Sequence, residues 1–403
     1  MKPQAALEVH ISPTQAPPEF SLVLGGPLFQ LYRRTHLSGD ALELLRRRVL
    51  VITLIAWLPP LFLSVLNGHF LGGANISFLH DIQTHVRFLI ALPALIIAEP
   101  IANSRLGPAI RRFIERRIVL TEDLPRFNAA VNSALRARNS FAVELILLFL
   151  VYTLGLWIWR NQIASETATW YAMPDATGSH LTLAGCWYAF VSIPIFQFIL
   201  LRWYIRLVIW FRLLWQVSRL NLRLTAAHPD EAGGIGFVGK SSKAFAPILF
   251  AQGAMLSGLI ASRIFYHGSN LMSFKMEVAG LVVFLVLCIL GPLVMFTPKL
   301  ASTKRKSRAE YGLLANRYVF GFEERWTRGA APESSELLGT PDLQSLADLA
   351  NSYSVVRQMR IVPFGREEIT QLAGVTVAPL LPLALTIFSP AQLLTLLMKV
   401  LFP

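Results

Sequence analysis

The residues most suggestive of chemistry lie in a glycine-rich stretch near the middle of the chain. Gly234 to Ser241 match the phosphate-loop pattern G-x-x-x-x-G-K-[ST], in which backbone amides cradle phosphates while Lys and Ser contact phosphate and magnesium. That loop works between a strand and a helix, but here an apolar helix precedes it, so we expect no nucleotide hydrolysis. A looser alternative is an anion or lipid phosphate held by the glycine backbone beside a helix start, through Gly234, Gly236, Gly239, Lys240 and Ser241.

A short polar sequence, His228-Pro229-Asp230-Glu231, comes directly before these glycines. Its side chains could bind a metal or act as acid and base, but they are adjacent and no second cluster is visible on the same side of the chain. We favour turn chemistry, in which Pro fixes the backbone, Asp accepts hydrogen bonds from nearby amides, and Gly233 and Gly234 take unusual dihedrals. We predict neither a metal nor a cofactor.

Arginines alternate with aromatic residues in the helix that leads into this loop. On a continuous helix Arg202 and Arg206 share one face, because residues four apart are neighbours. We favour an amphipathic extension that lies at anionic lipid headgroups. The alternative is that Arg202 and Arg206 lie deeper and line an anion path.

Four further charges fall within or at the edge of apolar segments: Arg87, Glu99, Glu144 and Arg263. Charges in hydrocarbon are costly and usually face a cavity or a partner. We expect structural ion pairs, with Glu99 or Glu144 bound to an arginine of the extension, and Arg87 bound to Asp81. A proton or ion relay is the alternative.

The elements that must position these residues are membrane helices. The chain is 54% hydrophobic and 15% charged, and it contains several runs of about 20 apolar residues, the length that crosses a bilayer. We predict an all-α polytopic membrane protein with about seven transmembrane helices. Prolines within these helices remove backbone donors and predict kinks or breaks, at Pro59, Pro60, Pro93, Pro100, Pro194, Pro247, Pro292, Pro379 and Pro382.

The basic residues predict how the chain crosses the membrane. Four segments hold 32 of the 37 Lys and Arg residues, and such segments stay on the cytoplasmic side, which gives N-terminus in and C-terminus out. The predicted order is an N-terminal arm at 1–48, spans 1–2 at 49–102, an Arg-rich amphipathic segment at 103–140, spans 3–4 at 141–201, the basic extension and turn at 202–243, spans 5–6 at 244–297, a cytoplasmic helical segment at 298–368, and span 7 with an apolar tail at 369–403.

The net charge of +13 comes mainly from the Lys and Arg residues of the four predicted cytoplasmic segments, so we expect no nucleic-acid partner. The expected partners are the bilayer, anionic headgroups, an ion or small solute, and a second copy of the chain. The Arg-rich composition suggests a bacterial inner membrane.

We expect a channel or transporter-like protein with a basic cytoplasmic mouth. The alternatives are a signalling or scaffold protein that binds a partner through its cytoplasmic helices, and a lipid-directed enzyme that uses the loop from His228 to Lys243.

Overall fold

The fold was obtained as a computed structural model, which describes residues 20–37, 44–157, 168–175, 178–328 and 341–386. It is almost entirely helical, and six helices are long and apolar enough to cross a membrane. A seventh span is formed if the pair 121–138 and 141–155, which is bent by 44°, counts as one. The chain is therefore an all-α, multi-pass membrane protein.

The helices have the following bounds. They are α1 (Pro27–Arg34), α2 (Leu45–Leu66), α3 (Ile82–Glu115), α4 (Leu124–Arg138), α5 (Phe141–Gly155), α6 (Leu183–Ser218), α7 (Gly236–His267), α8 (Leu271–Thr327), α9 (Pro341–Gln358) and α10 (Arg366–Thr386). An antiparallel hairpin of β1 (Ala172–Asp175) and β2 (Gly178–Leu181) lies between α5 and α6, with Ala172 opposite Leu181.

At two predicted boundaries between a membrane span and a basic segment, the helix is continuous. The predicted span 2 and the amphipathic helix after it form one helix, α3, which continues through Pro100 and Pro108. The predicted span 4 and its basic extension likewise form one helix, α6. The arginines of both segments therefore lie on the same continuous helices as the spans. The tail at 391–403 lies outside the described residues.

Helix α2 continues through two adjacent prolines because helix α6 replaces the donors that they lack. A proline leaves the carbonyl four residues earlier without its helical N–H partner. For Pro59 that carbonyl is Ile55 O, which accepts from Trp187 Nε1 at 3.1 Å. For Pro60 it is Ala56 O, which accepts from Ser192 Oγ at 2.6 Å. The two hydrogen bonds to the carbonyls freed by the prolines therefore connect α2 to α6.

The segments predicted to be basic meet at one end of the bundle, which we call the basic end. There Arg223 N donates to Ile118 O at 2.8 Å, and Arg360 N donates to Glu231 O at 2.6 Å. The other end carries the β-hairpin, and we call it the hairpin end; Trp170 N donates there to Ile76 O at 2.9 Å. Which end faces the cytoplasm stays a prediction.

Helices α8 and α9 form an extension at the basic end. A helix of 57 residues is about 85 Å long, far more than the roughly 30 Å of hydrocarbon in a bilayer. Helix α9 begins with Pro341 at its first position, as predicted, and contacts α8 through Tyr318 OH, which donates to Asp342 O at 3.0 Å. Helix α9 ends at Gln358, before Pro363.

Candidate functional site

A cluster of buried charges lies between α2, α3 and α6, and we call it the charge cluster. Its centre is Glu99, and three arginines surround this carboxylate. Arg48 Nη2 lies 3.0 Å from Oε2, Arg206 Nη2 donates to Oε1 at 3.0 Å, and Arg202 Nη1 lies 3.7 Å from Oε1. All four side chains are less than a tenth exposed. The predicted pairing of Glu99 with the arginines of α6 is therefore observed.

Glu144 is the second carboxylate of the charge cluster. Its Oε1 lies 3.3 Å from Arg202 Nη2, and its Oε2 accepts from Leu28 N at 2.9 Å. Arg202 thus bridges Glu99 and Glu144. Three arginines against two glutamates leave one positive charge in excess. Buried charges are tolerated when they are paired in this way, and removal of one partner is then strongly destabilising.

The segment that precedes α2 covers the charge cluster on one side. Arg138 Nη1 donates to Ser21 O at 2.6 Å, and Arg202 Nη2 donates to Gly25 O at 3.4 Å. The Tyr32 ring lies under the Arg48 guanidinium at 5.4 Å. Burial, together with the charge of Glu99, raises the pKa of Tyr32, so this phenol stays neutral. Residues 20–37 therefore cover the cluster and supply backbone hydrogen bonds to its charged groups.

Little space is left inside the charge cluster. A small cavity beside Glu99, Arg202 and Arg206 has a volume of about 10 Å³. A second cavity, beside Arg138 and Glu144, has a volume of about 20 Å³. Such volumes hold about one water molecule each. The charge cluster is therefore tightly packed.

Arg87 and Arg263 do not belong to the charge cluster. Arg87 is twelve residues before Glu99 on α3, which is about 18 Å along the helix axis. Both arginines line a cavity of about 700 Å³ that lies towards the hairpin end; we call it the hairpin-end cavity. The six predicted intramembrane charges therefore fall into two places, and they do not share one cavity.

One face of α7 lines the hairpin-end cavity along its length, from Gln252 to Arg263. Eleven residues of helix correspond to about 16 Å, roughly half of the hydrocarbon thickness of a bilayer. Gln252 lies at the end of the cavity nearer the basic end, which we call the deep end, and its Nε2 donates there to Tyr204 OH at 2.5 Å. The other wall residues on this face of α7 are Met255, Leu256, Leu259 and Ser262.

The predicted Arg87–Asp81 pair is absent among the described residues. Asp81 is the N-cap of α3, so it accepts from Thr84 N at 3.1 Å, from Thr84 Oγ1 at 2.6 Å and from Trp170 Nε1 at 3.0 Å. Arg87 Nη1 instead donates to Tyr188 OH at 2.6 Å. Capping of the helix start outcompetes the salt bridge, because it satisfies amide and hydroxyl donors that have no helical acceptor.

The glycine-rich stretch is organised by Asp230. Its carboxylate accepts from the backbone amides of Ala232 at 2.9 Å, Gly234 at 3.0 Å and Gly236 at 2.8 Å. Burial opposes ionisation of Asp230, but these three bonds outweigh it and lower its pKa. Gly233 and Gly234 have φ of 67° and 95°, and Asp230 N donates to His228 Nδ1 at 3.1 Å next to Pro229. The stretch has the hydrogen bonding expected of a turn.

The segment that resembles a phosphate loop starts a helix instead of forming a loop. Helix α7 begins at Gly236, so Gly239, Lys240 and Ser241 lie in its first turns. Ser241 Oγ donates to Val238 O at 2.6 Å, and a Cβ on Gly239 would lie 2.1 Å from Pro363 O. Of the amides in this segment, those of Gly234 and Gly236 are already bound to Asp230, and Gly239 provides a close contact with the backbone at Pro363. Within the described residues, no group of His, Cys, Asp and Glu side chains could hold a metal ion.

Arg48 was not predicted as a site residue, because it is the last residue of the predicted N-terminal arm at 1–48. Arg48 is 0% exposed, and none of its guanidinium nitrogens has a hydrogen-bond acceptor in the described part of the chain, although Nη2 is within ion-pair distance of Glu99. Its burial follows from its position on α2. Buried α2 residues recur every four positions, at Arg48, Ile52, Ala56, Pro60 and Ser64, which places Arg48 on the inward face.

Comparison with known proteins adds no family assignment. No family model matches the chain, and no curated protein or solved structure matches it significantly. The fold and composition define its class, an all-α multi-pass membrane protein. The arrangement of the charge cluster and the hairpin-end cavity must carry any more specific conclusion.

Proposed function

We propose that this protein is a transporter-like protein of the bacterial inner membrane, in a conformation open at one end and closed at the other. The observation that carries the proposal is the hairpin-end cavity, about 700 Å³ in volume, which reaches about half-way through the bilayer by the helix rise. Beyond its deep end lies the charge cluster, with cavities for only about one water each. A wide entrance that faces a compact barrier suits a carrier better than an open channel.

The cavity and the barrier share helix α6. Tyr204 binds Gln252 at the deep end of the cavity, and it lies in sequence between Arg202 and Arg206 of the charge cluster. A shift of α6 against α7 would therefore alter both places together. Such sliding or rocking of packed helices is a common basis of alternating access.

The orientation follows from the positive-inside rule. It places the basic end in the cytoplasm and the hairpin end outside. In that orientation residues 20–37 and the charge cluster form the inner closure, and solute enters through the hairpin-end cavity.

Solute flux into proteoliposomes tests this proposal. Small anions, cations and neutral solutes are supplied to the native protein and to two variants that weaken the charge cluster, Arg202→Ala and Glu144→Gln. We expect flux of at least one solute, and several-fold faster leak in the variants because the barrier loses an ion pair. Lys306→Gln, which removes an exposed ion pair with Glu310 on α8, is the control and should leave flux unchanged. If no solute crosses faster than in protein-free liposomes, in native protein or in variants, the proposal is wrong.

A second candidate is a scaffold, favoured by apolar residues on the α8–α9 extension. Leu313, Phe320 and Leu343 are each more than half exposed, on helices too long to lie wholly within the membrane. Polar replacement of these three residues would abolish binding of a cytoplasmic partner while leaving flux intact. Loss of flux with retained partner binding would instead exclude the scaffold as the main role.

A further inference from the structure

We infer that the hairpin-end cavity binds an organic monoanion, a carboxylate attached to an apolar body. The inference rests on the proposed function only in that the cavity must be open to water. It does not require that the bound molecule be transported. It names the chemical class of ligand from the charges and surfaces that line the cavity.

The first step is the surplus of positive charge. Arg87 and Arg263 line the cavity together with a single carboxylate, Asp81. Asp81 is occupied by three hydrogen bonds from Thr84 and Trp170. The Arg263 guanidinium has no hydrogen bond or ion pair to any described residue, and it lies over the Phe274 ring, 5.8 Å from the ring centroid. Charges at membrane depth normally have a partner, and a bound anion would provide one.

The second step is that both arginines can reach one ligand. Gly258 of α7 packs directly on Val86 of α3, because a Cβ at Gly258 would lie 3.1 Å from Val86 Cβ. Arg87 is therefore level with Gly258, and Arg263 is five residues further along α7, about 7 Å along the axis. The planar guanidinium presents five donors and binds a carboxylate through two parallel bonds. Two such groups suit a single carboxylate between them.

The third step is the apolar part of the wall. Below the arginines, towards Gln252, the cavity is lined by Met255, Leu256, Leu259 and Leu281. A small inorganic anion would leave this surface unfilled, whereas an apolar body would cover it. The volume of about 700 Å³ lies within the range of small-molecule sites, about 300–1,000 Å³. A carboxylate with an aromatic or medium-length alkyl body therefore fits both parts of the cavity.

Titration calorimetry on the full-length protein in detergent tests this inference, with benzoate and octanoate as probes. Benzyl alcohol, benzylamine and chloride are the matched ligands that lack the negative charge or the apolar body. We expect benzoate or octanoate to bind more tightly than all three. Arg87→Gln and Arg263→Gln should each weaken binding by about tenfold or more, the effect of losing a charge-assisted hydrogen bond.

Lys275→Gln is the control variant, because Lys275 is an exposed cation near Arg263 that does not line the cavity. It should leave binding unchanged. Arg263→Lys keeps the charge but not the two-donor geometry, and it should retain part of the affinity if the variants are folded. Absence of carboxylate binding, equal binding of benzyl alcohol, or equal losses in Lys275→Gln and Arg263→Gln would each overturn the inference. Carboxylate binding without flux would remove the transport proposal alone, and flux without carboxylate binding would remove this inference alone.

Discussion

The two groups of intramembrane arginines in this protein have opposite surroundings. In the charge cluster, Arg202 and Arg206 are less than a tenth exposed and paired with Glu99. In the hairpin-end cavity, Arg263 is exposed and has no acidic partner among the described residues. The same residue type therefore serves two purposes. The paired arginines are packed inside the bundle, whereas we propose that the exposed arginine beside the cavity binds a ligand.

The largest effect is expected in the charge cluster, from Glu99→Gln. This change leaves three buried arginines with a single carboxylate, Glu144, which pairs with Arg202 alone among the three. Breaking a buried network in this way costs about 3–5 kcal/mol. Thermal unfolding in detergent measures the loss. Glu310→Gln, in an exposed pair, is the matched control, and equal stability of the two variants would show that the cluster does not stabilise the fold.

A smaller effect is expected at the basic-end turn, from Asp230→Asn. Three amides donate to this carboxylate, and loss of its charge should cost about 1.5–3 kcal/mol. Because the folded-state pKa of Asp230 is lowered, its contribution is present above the unfolded pKa of about 3.9 and is lost as the pH falls through the folded-state pKa.

Melting temperatures measured against pH test this prediction. Near neutral pH the native protein should have a higher melting temperature than Asp230→Asn, by a constant difference. In acid this difference in melting temperature should disappear. A difference that grows as the pH falls would contradict the account of the turn.

A similar or smaller effect is expected between α2 and α6, from Ser192→Ala. The Ser192 hydroxyl donates to the carbonyl that Pro60 leaves without a partner, so its loss should cost about 1–2 kcal/mol. In a Pro60→Ala background the carbonyl regains a helical N–H, and the cost of Ser192→Ala should shrink. A double-mutant cycle measures this coupling, and strictly additive effects would rule out the proposed exchange of donors.

Much of the fold could be predicted from the sequence because membrane helices are specified by local composition. The apolar runs, the Pro341 helix start and the grouping of basic segments all follow from neighbouring residues. The continuity of α2 through Pro59 and Pro60 could not be predicted, because it depends on Trp187 and Ser192, more than 120 residues away. Hydrogen-bond donors from another helix therefore outweigh the local tendency of proline to end a helix.

The candidate site was predictable only in part, because some of its contacts join residues that are far apart in sequence. Pairing of Glu99 with Arg202 and Arg206 follows from the cost of charge in the membrane. The predicted Arg87–Asp81 pair was wrong, because Asp81 caps a helix and binds Trp170, a contact that no local pattern encodes. The hairpin-end cavity was not predicted, since its walls come from helices far apart in sequence. Residues 20–37 were treated as an arm, although Leu22 and Val23 are 1% exposed.

The most direct test of the central claim, a cavity open at the hairpin end and sealed from the basic end, is the accessibility of introduced cysteines. Met255→Cys lines the cavity, and Ile96→Cys lines the small space beside Glu99; both are made with Cys186 and Cys288 replaced by serine. A membrane-impermeant thiol reagent is added to each side of oriented membranes. We predict rapid labelling of Met255→Cys from the hairpin side alone, and little labelling of Ile96→Cys from either side. Equal labelling of both cysteines, or no labelling of Met255→Cys, would contradict the account.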